Sequence, residues 1–290
     1  MKNYKSIFYV AAGACSYGVL ATAVKYSNNI GIKVSALTFL QFLVGFVFLV
    51  ILNSLKKNSA AAQPVSTSSK LKLMAWGLSL GVTSTLYYLS IQYIEVSLGI
   101  ILLMQSIWMS LLIEILVTRK KPESYKIFGV IIVLIGTVLA TNIFNQHLEL
   151  DYRGVLLGMG AALSYTITLF ASSRIESYVP SSIRSQYMVL GGLILIIAFW
   201  NIHIIEDMTV SSIPWGILIA VFGTILPPLL FTKGVPKTGI ALANILASLE
   251  IPVSILSAVL VLHESVGLIR WIGVAIILIA VIAINRKTKS

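Results

Sequence analysis

Apolar stretches of about twenty residues recur along most of the 290-residue chain, and few charges interrupt them. A helix of that length, rising about 1.5 Å per residue, reaches across roughly 30 Å of hydrocarbon. Hydrocarbon offers no water to the backbone, so N–H and C=O groups inside it must bond within their own segment, as a helix does. Hydrophobic residues make up 58% of the chain and charged residues 11%, about half the charged share of soluble domains. These features define an all-α, polytopic integral membrane protein.

The apolar pattern predicts ten helices, near 6–26, 34–55, 72–94, 97–118, 126–144, 154–173, 184–204, 213–233, 239–262 and 267–285. Connections are short except Lys56–Lys70 (KKNSAAAQPVSTSSK), whose Ser, Ala and Pro content reads as a flexible loop. Lys2 and Lys5 before Ala12-Gly13-Ala14-Cys15 mimic a cleaved signal. The apolar sequence continues past Cys15 to Val24, however, and is read as a first transmembrane helix.

A net charge of +11 raises the question of nucleic acid. The cations instead sit in short loops and at helix ends, where they set membrane orientation. Seventeen of the 21 Lys and Arg fall on one side: the N-terminus, the loops after helices 2, 4, 6 and 8, and the C-terminus. Both termini are therefore expected in the cytoplasm, which requires an even number of spans. One cysteine, Cys15, allows no internal disulfide, and three scattered histidines lack metal-ligand spacing.

The chain also repeats. Ile7–Gly18 (IFYVAAGACSYG) lies over Val155–Thr166 (VLLGMGAALSYT) at an offset of 148, and Gln41-Phe42 lies over Gln186-Tyr187 at 145. Ser97–Gly136 lies over Ala241–Ala280 at 144, with Gly129 on Gly273. Three matches in one order point to two halves, 1–145 with helices 1–5 and 146–290 with helices 6–10. Five is odd, so the second half enters from the opposite face, an inverted-topology repeat of the kind found in secondary transporters.

Tyr17-Gly18 with Lys25, Ala162-Leu163-Ser164-Tyr165 with Ser173-Arg174, and Leu249-Glu250-Ile251-Pro252 with His263-Glu264 and Gly273 together resemble the ten-helix EamA-type transporters of the drug/metabolite transporter superfamily. There are departures. Tyr17 replaces Trp, His263 replaces the usual Gly, Trp108 stands where Pro is common, Arg119-Lys120 where Gly-Glu is common, and Gln41 and Gln186 where Arg often stands. The resemblance implies alternating-access movement of small metabolites, often export of amino acids or related compounds, without a cofactor.

Polar residues deep in apolar helices are the candidates for a substrate cavity. Glu250 is the only charged residue from Gly239 to Leu262 and stands about eleven residues from either helix end, too deep to snorkel. It shares a stripe with Ala243, Ala247, Ser254 and Ser257 at helical spacing. Two readings stand: a substrate-contacting or proton-coupling carboxylate, or a glutamate that fixes helix packing. Pro252 and the Pro227-Pro228 pair each remove backbone donors and mark broken helices. Ser16-Tyr17 and Ser164-Tyr165 are equivalent in the two halves, and tyrosine gives an apolar ring with one polar tip. Ser84 and Tyr87 on helix 3, Gln105 and Trp108 on helix 4, Thr168 on helix 6 and Asn244 on helix 9 complete the set. Glu114, near Arg119 and Lys120, reads as a snorkelling group, Glu264 as a loop cap, and Lys25 as an interfacial cation.

The expected function is a secondary transporter in a bacterial inner membrane, acting as a monomer among membrane lipids on a small-molecule substrate, with no enzyme activity, cofactor or nucleic acid. Two other classes compete: an integral membrane enzyme, which needs an interfacial cluster of His, Asp, Ser or Arg not evident here, and a membrane scaffold, which needs no midplane polar groups. The chain has no Walker motif.

Overall fold

Every regular element among the described residues of the computed structural model (4–57, 65–94, 96–141, 151–263 and 266–287) is helical. In chain order they are α1 (Tyr4–Asn29), α2 (Val34–Lys57), α3 (Thr67–Tyr93), α4 (Val96–Met104), α5 (Ser106–Thr118), α6 (Ser124–Thr141), α7 (Tyr152–Arg174) and α8 (Ser181–Trp200). The short α9 (His203–Asp207) follows, then α10 (Ser212–Ala220), a π-helical turn (Val221–Ile225), α11 (Leu226–Thr238), α12 (Ile240–Ala247), α13 (Glu250–Leu262) and α14 (Leu268–Lys287). Residues 58–64 of the Lys56–Lys70 loop, and Glu264, lie outside the described residues.

Eight helical stretches are long and apolar enough to cross a membrane: α1, α2, α4–α5, α6, α7, α8, α10–α11 and α12–α13. The apolar part of α14 runs only from Leu268 to Ile284. α3 is long, but Thr83-Ser84-Thr85 and Tyr87-Tyr88 dilute its apolar character. It also begins five residues before the predicted start, because Ser66 accepts from the Ser69 N–H and caps the first turn.

Proline explains one break in these spans. Pro252 has no N–H to give Ser248, and the helix turns at Ser248–Leu249 between α12 and α13. Pro227 and Pro228 do not break their helix. They occupy the first turn of α11, and the π turn before them absorbs the register change. Within that turn the Leu226 N–H bonds the Val221 carbonyl, so the Phe222 carbonyl faces Pro227, which has nothing to donate. Ser16 Oγ donates to it instead at 2.8 Å.

The second break has no proline. At Gln105 the N–H bonds Leu102 O at 3.0 Å, one residue short of helical register, while the Gln105 side chain donates to Ile101 O at 3.0 Å. Gln105 and Leu249 stand 144 residues apart. So do Arg119 and His263, which cap α5 and α13 in the left-handed conformation with φ 53° each. The packing follows the same correspondence. α3 lies on α7 as α11 lies on α1, α4 and α5 lie on α7 as α12 and α13 lie on α1, and α6 pairs with α14. Gly129 meets Ile284, and Gly273, 144 residues on, meets Ala140, 144 before Ile284.

The main apolar core runs through α1, α4–α7 and α11–α14. Large apolar side chains also cover the outside: Ile127, Phe128, Ile131 and Ile135 expose one face of α6, as a lipid-facing helix does.

Candidate functional site

A cavity of about 650 Å³ opens among α1, α2, α3, α4, α6, α7, the π turn, α11, α13 and α14. Its mouth lies at the C-terminal ends of α1, α3 and α6, where Lys25, Asn28, Gln92, Thr141 and Arg270 line it. Its floor lies mid-bundle, at Tyr17, Gln41, Tyr165, Pro228 and Glu250.

The elements position these groups for local reasons. Glu250 is the first residue of α13, just past the break that Pro252 produces. The small stripe of α12–α13 packs on α1, where a Cβ on Gly18 would lie 2.6 Å from the Glu250 carbonyl oxygen. Thr22 Oγ1 and Ser257 Oγ share a hydrogen bond of 2.5 Å above that crossing. The backbone of Glu250 is thus pinned, while its carboxylate makes no hydrogen bond or ion pair with any described residue and lies on the cavity wall. Four tyrosines surround it, Tyr17, Tyr87, Tyr88 and Tyr165, all close enough to interact electrostatically with the carboxylate. Tyr17 is braced edge-on by Phe231 at 5.8 Å between ring centroids, and Tyr87 and Tyr88 lie 6.0 Å apart.

Of the residues singled out in the sequence, Tyr17, Ser84, Tyr87, Tyr165, Thr168, Pro228 and Glu250 line this cavity. The others stand outside it, each held elsewhere. Ser16 serves the π turn. Ser164 donates to Ser79 O at 2.9 Å, one helical step from Tyr165 and so pointing to a neighbour. Gln105 accepts from Trp108 Nε1 at 2.9 Å, and the Trp108 ring packs against the core. Pro227 is buried in the first turn of α11. Asn244 is fully buried and donates to Ser110 Oγ at 2.7 Å, a polar tie between α12 and α5.

The cavity includes residues the sequence reading did not single out as lining: Thr22, Tyr88, Thr224, Ser254 and Arg270, and also Gln41, noted there only as a family departure. Gln41 Oε1, Thr224 Oγ1 and Tyr165 OH are buried without a hydrogen-bond partner. Gly223 makes room for the Gln41 amide, against which a Cβ there would collide. The signal for Gln41 was its isolation, one amide in the apolar run Leu40-Gln41-Phe42-Leu43.

The opposite end of the bundle is closed. Glu114 on α5 does not snorkel to water as expected. Its Oε1 meets Lys126 Nζ at 2.5 Å and its Oε2 accepts the Ala241 N–H at 2.9 Å, at the free N-terminal turn of α12. Nearby, Arg184 is 1% exposed and donates to four carbonyls, those of Ala171, Ser172, Ile175 and Thr232. Three belong to the C-terminal turn of α7, and the fourth is the one Pro236 leaves without a donor.

The chain matches the EamA-like transporter family twice, over residues 4–142 and 152–286. It is 22% identical over 182 residues to a protein of Bacillus subtilis (strain 168) named as the uncharacterized transporter YwfM, and the match spans 61% of each chain. A solved crystal structure superposes on 99% of both chains with a TM-score of 0.80 at 15% identity, a likeness of fold.

Proposed function

Because the chain belongs to the EamA-like transporter family, we propose that this membrane transporter is a secondary transporter of small organic metabolites, amino acids and related compounds among them, working by alternating access in a bacterial inner membrane. The observation that carries this reading is the mid-bundle cavity, open at one end and closed at the other, with an unpaired carboxylate at its floor. An inert scaffold would have no reason to keep Glu250 desolvated and unpaired, since such a group costs stability.

In this reading ten helices span the membrane, α3 and α14 included, as two inverted halves with both termini in the cytoplasm. The matched breaks at Gln105 and Leu249, the matched caps at Arg119 and His263, and the exchange-related packing support it. The charge bias then sets the mouth on the outer side, so the cavity is the outward-open form. Rocking of one half against the other opens the closed end in turn. Glu250 exchanges a proton as substrate enters or leaves, and export follows when substrate is collected from the cytoplasmic side.

The test is reconstitution in proteoliposomes with labelled amino acids, organic cations and nucleobases, with and without a pH gradient. At least one solute is expected to move faster than in protein-free vesicles, and Glu250→Gln is expected to abolish its response to the gradient. A folded, reconstituted protein that moves none of them refutes the reading.

A further inference from the structure

We infer that the cavity floor is a binding site for a protonated primary or secondary amine with a small apolar or aromatic body, an inference that rests on the transport reading above and narrows its substrate. The argument starts from what the floor leaves unmatched. Glu250 supplies a carboxyl group that carries a negative charge when ionised, and no hydrogen bond or ion pair ties it to a described residue. The residues Gln41, Thr224 and Tyr165 line the same cavity and are 3%, 1% and 6% exposed, and Gln41 Oε1, Thr224 Oγ1 and Tyr165 OH, buried at its margin, have no partner among the described residues. All three oxygens can accept: an amide carbonyl, which only accepts, and a hydroxyl and a phenol, which can also donate. The floor thus offers one carboxylate and several acceptors, and no cationic group to balance them.

A ligand must bring what is missing. An anion or a neutral body would leave the carboxylate desolvated and uncompensated. A quaternary ammonium would balance the charge but has no N–H for the waiting oxygens, whereas a protonated amine brings both. The four tyrosine rings around Glu250 provide faces that attract a cation and apolar area for its body.

The mouth narrows the class further. Lys25 lies eight residues beyond Tyr17 on α1, about 12 Å along the helix, and Arg270 sits at the same end with its Nε given to Ala140 O. The Arg270 guanidinium disfavours a second positive charge on the substrate. An α-amino acid carries its carboxylate on the carbon next to the ammonium, so with the ammonium at Glu250 that carboxylate is held beside a like charge, and the floor residues Tyr17, Gln41, Tyr165 and Pro228 offer no cation to receive it. A monoamine avoids both conflicts. A cavity of about 650 Å³ is within the ordinary range for organic ligands, which buries most of their surface.

The experiment measures equilibrium binding to the purified full chain of four compounds that share one phenyl body: phenethylamine, its trimethylammonium analogue, phenylalanine and 3-phenylpropionate. Phenethylamine is expected to bind at least about tenfold tighter than each of the others, a loss of about 1.4 kcal/mol for each mismatch. Glu250→Gln is expected to weaken phenethylamine at least about tenfold, and Tyr165→Phe, which keeps the ring, by about two- to fivefold. Should the Gln variant not fold, the four-compound series on the parent protein decides alone. Equal or tighter binding of phenylalanine, the anion or the quaternary analogue, no binding of phenethylamine, or unchanged binding by a folded Glu250→Gln variant each overturns the inference. None of those results touches the transport reading, which fails only if the proteoliposomes carry no solute at all.

Discussion

The closed end of the bundle is held by one carboxylate, and Glu114→Gln tests how much. The substitution keeps an acceptor for the Ala241 N–H but puts an uncharged amide against Lys126, whose Nζ now stands 2.5 Å from Glu114 Oε1. The two side chains are 14% and 18% exposed, between the exposed pairs worth about 0.2–1 kcal/mol and the buried ones whose disruption costs about 3–5 kcal/mol. A loss of about 2 kcal/mol is the expected value, which shifts an open–closed equilibrium at that end by about 30-fold. Ala247 reports it. It is fully buried, two turns along from Ala241 and on the closed side of Glu250. In a Cys15→Ser background, maleimide labelling of an Ala247→Cys variant should accelerate by about that factor when Glu114→Gln is added, if labelling follows opening. A folded double variant that labels at the original rate would show that the Glu114 contacts do not hold this end closed.

Three further outcomes are expected. Ala258→Glu puts an acid at the position 144 residues beyond Glu114, on the cavity wall with Arg270, and should favour closure of the mouth, also raising Ala247→Cys labelling; unchanged labelling argues against the matched gates. Arg184→Lys cannot serve the four carbonyls that Arg184 reaches, so it should cost about 2–4 kcal/mol of stability, read as a clear fall in Tm in detergent, and an unaltered Tm would refute the anchoring role. Glu176, in the turn after α7, has its carboxyl held below the usual range first by the Tyr178 hydroxyl and then by Ser69 and Lys72; its stabilisation is present above the unfolded-state value and is lost as pH falls through the lowered folded value, so Glu176→Gln should lower Tm at neutral pH and the difference should shrink as the pH is lowered, whereas a constant difference would refute the linkage.

What the sequence revealed and what it hid divide along physical lines. Apolar period, charge placement and proline are local signals, and they led to the spans and to the break before Pro252. The break at Gln105 carries no proline and comes from a side chain bonding Ile101 O, a contact that composition does not encode. The left-handed caps were also hidden: Arg119 and His263, where the resembling family pattern has glycine, occupy a conformation with φ 53°, at a cost of about 1 kcal/mol each. Cavity lining was half legible. Tyr165 faces the cavity and Ser164 faces Ser79, although they are neighbours, because successive residues point about 100° apart and the choice between them is made by α3. Gln41 and Arg184 show the reverse error. One was passed over as a family departure and the other as a topology charge, yet the first is an unmatched amide on the floor and the second a buried cap for α7.

The two ends of the bundle share a backbone plan but not its side chains, and that difference bears on which form is populated. The positions that correspond to Glu114 and Lys126 are Ala258 and Arg270, both at the open mouth. The cation is kept and the acid is missing, so the ion pair between these two positions is not repeated at the mouth. If the halves exchange conformations, their backbones contribute equally to both forms, and side-chain contacts such as those of Glu114 bias the protein toward the form seen here. A bias of about 2 kcal/mol leaves the alternative at a few per cent. A substrate that drives transport must therefore interact differently with the two forms by a comparable amount. Glu250 is well placed for this. It begins α13 at the break with α12, its backbone wedged on Gly18 of α1, so a ligand that binds its carboxylate acts on the joint between the element that lines the mouth and the element that Glu114 holds.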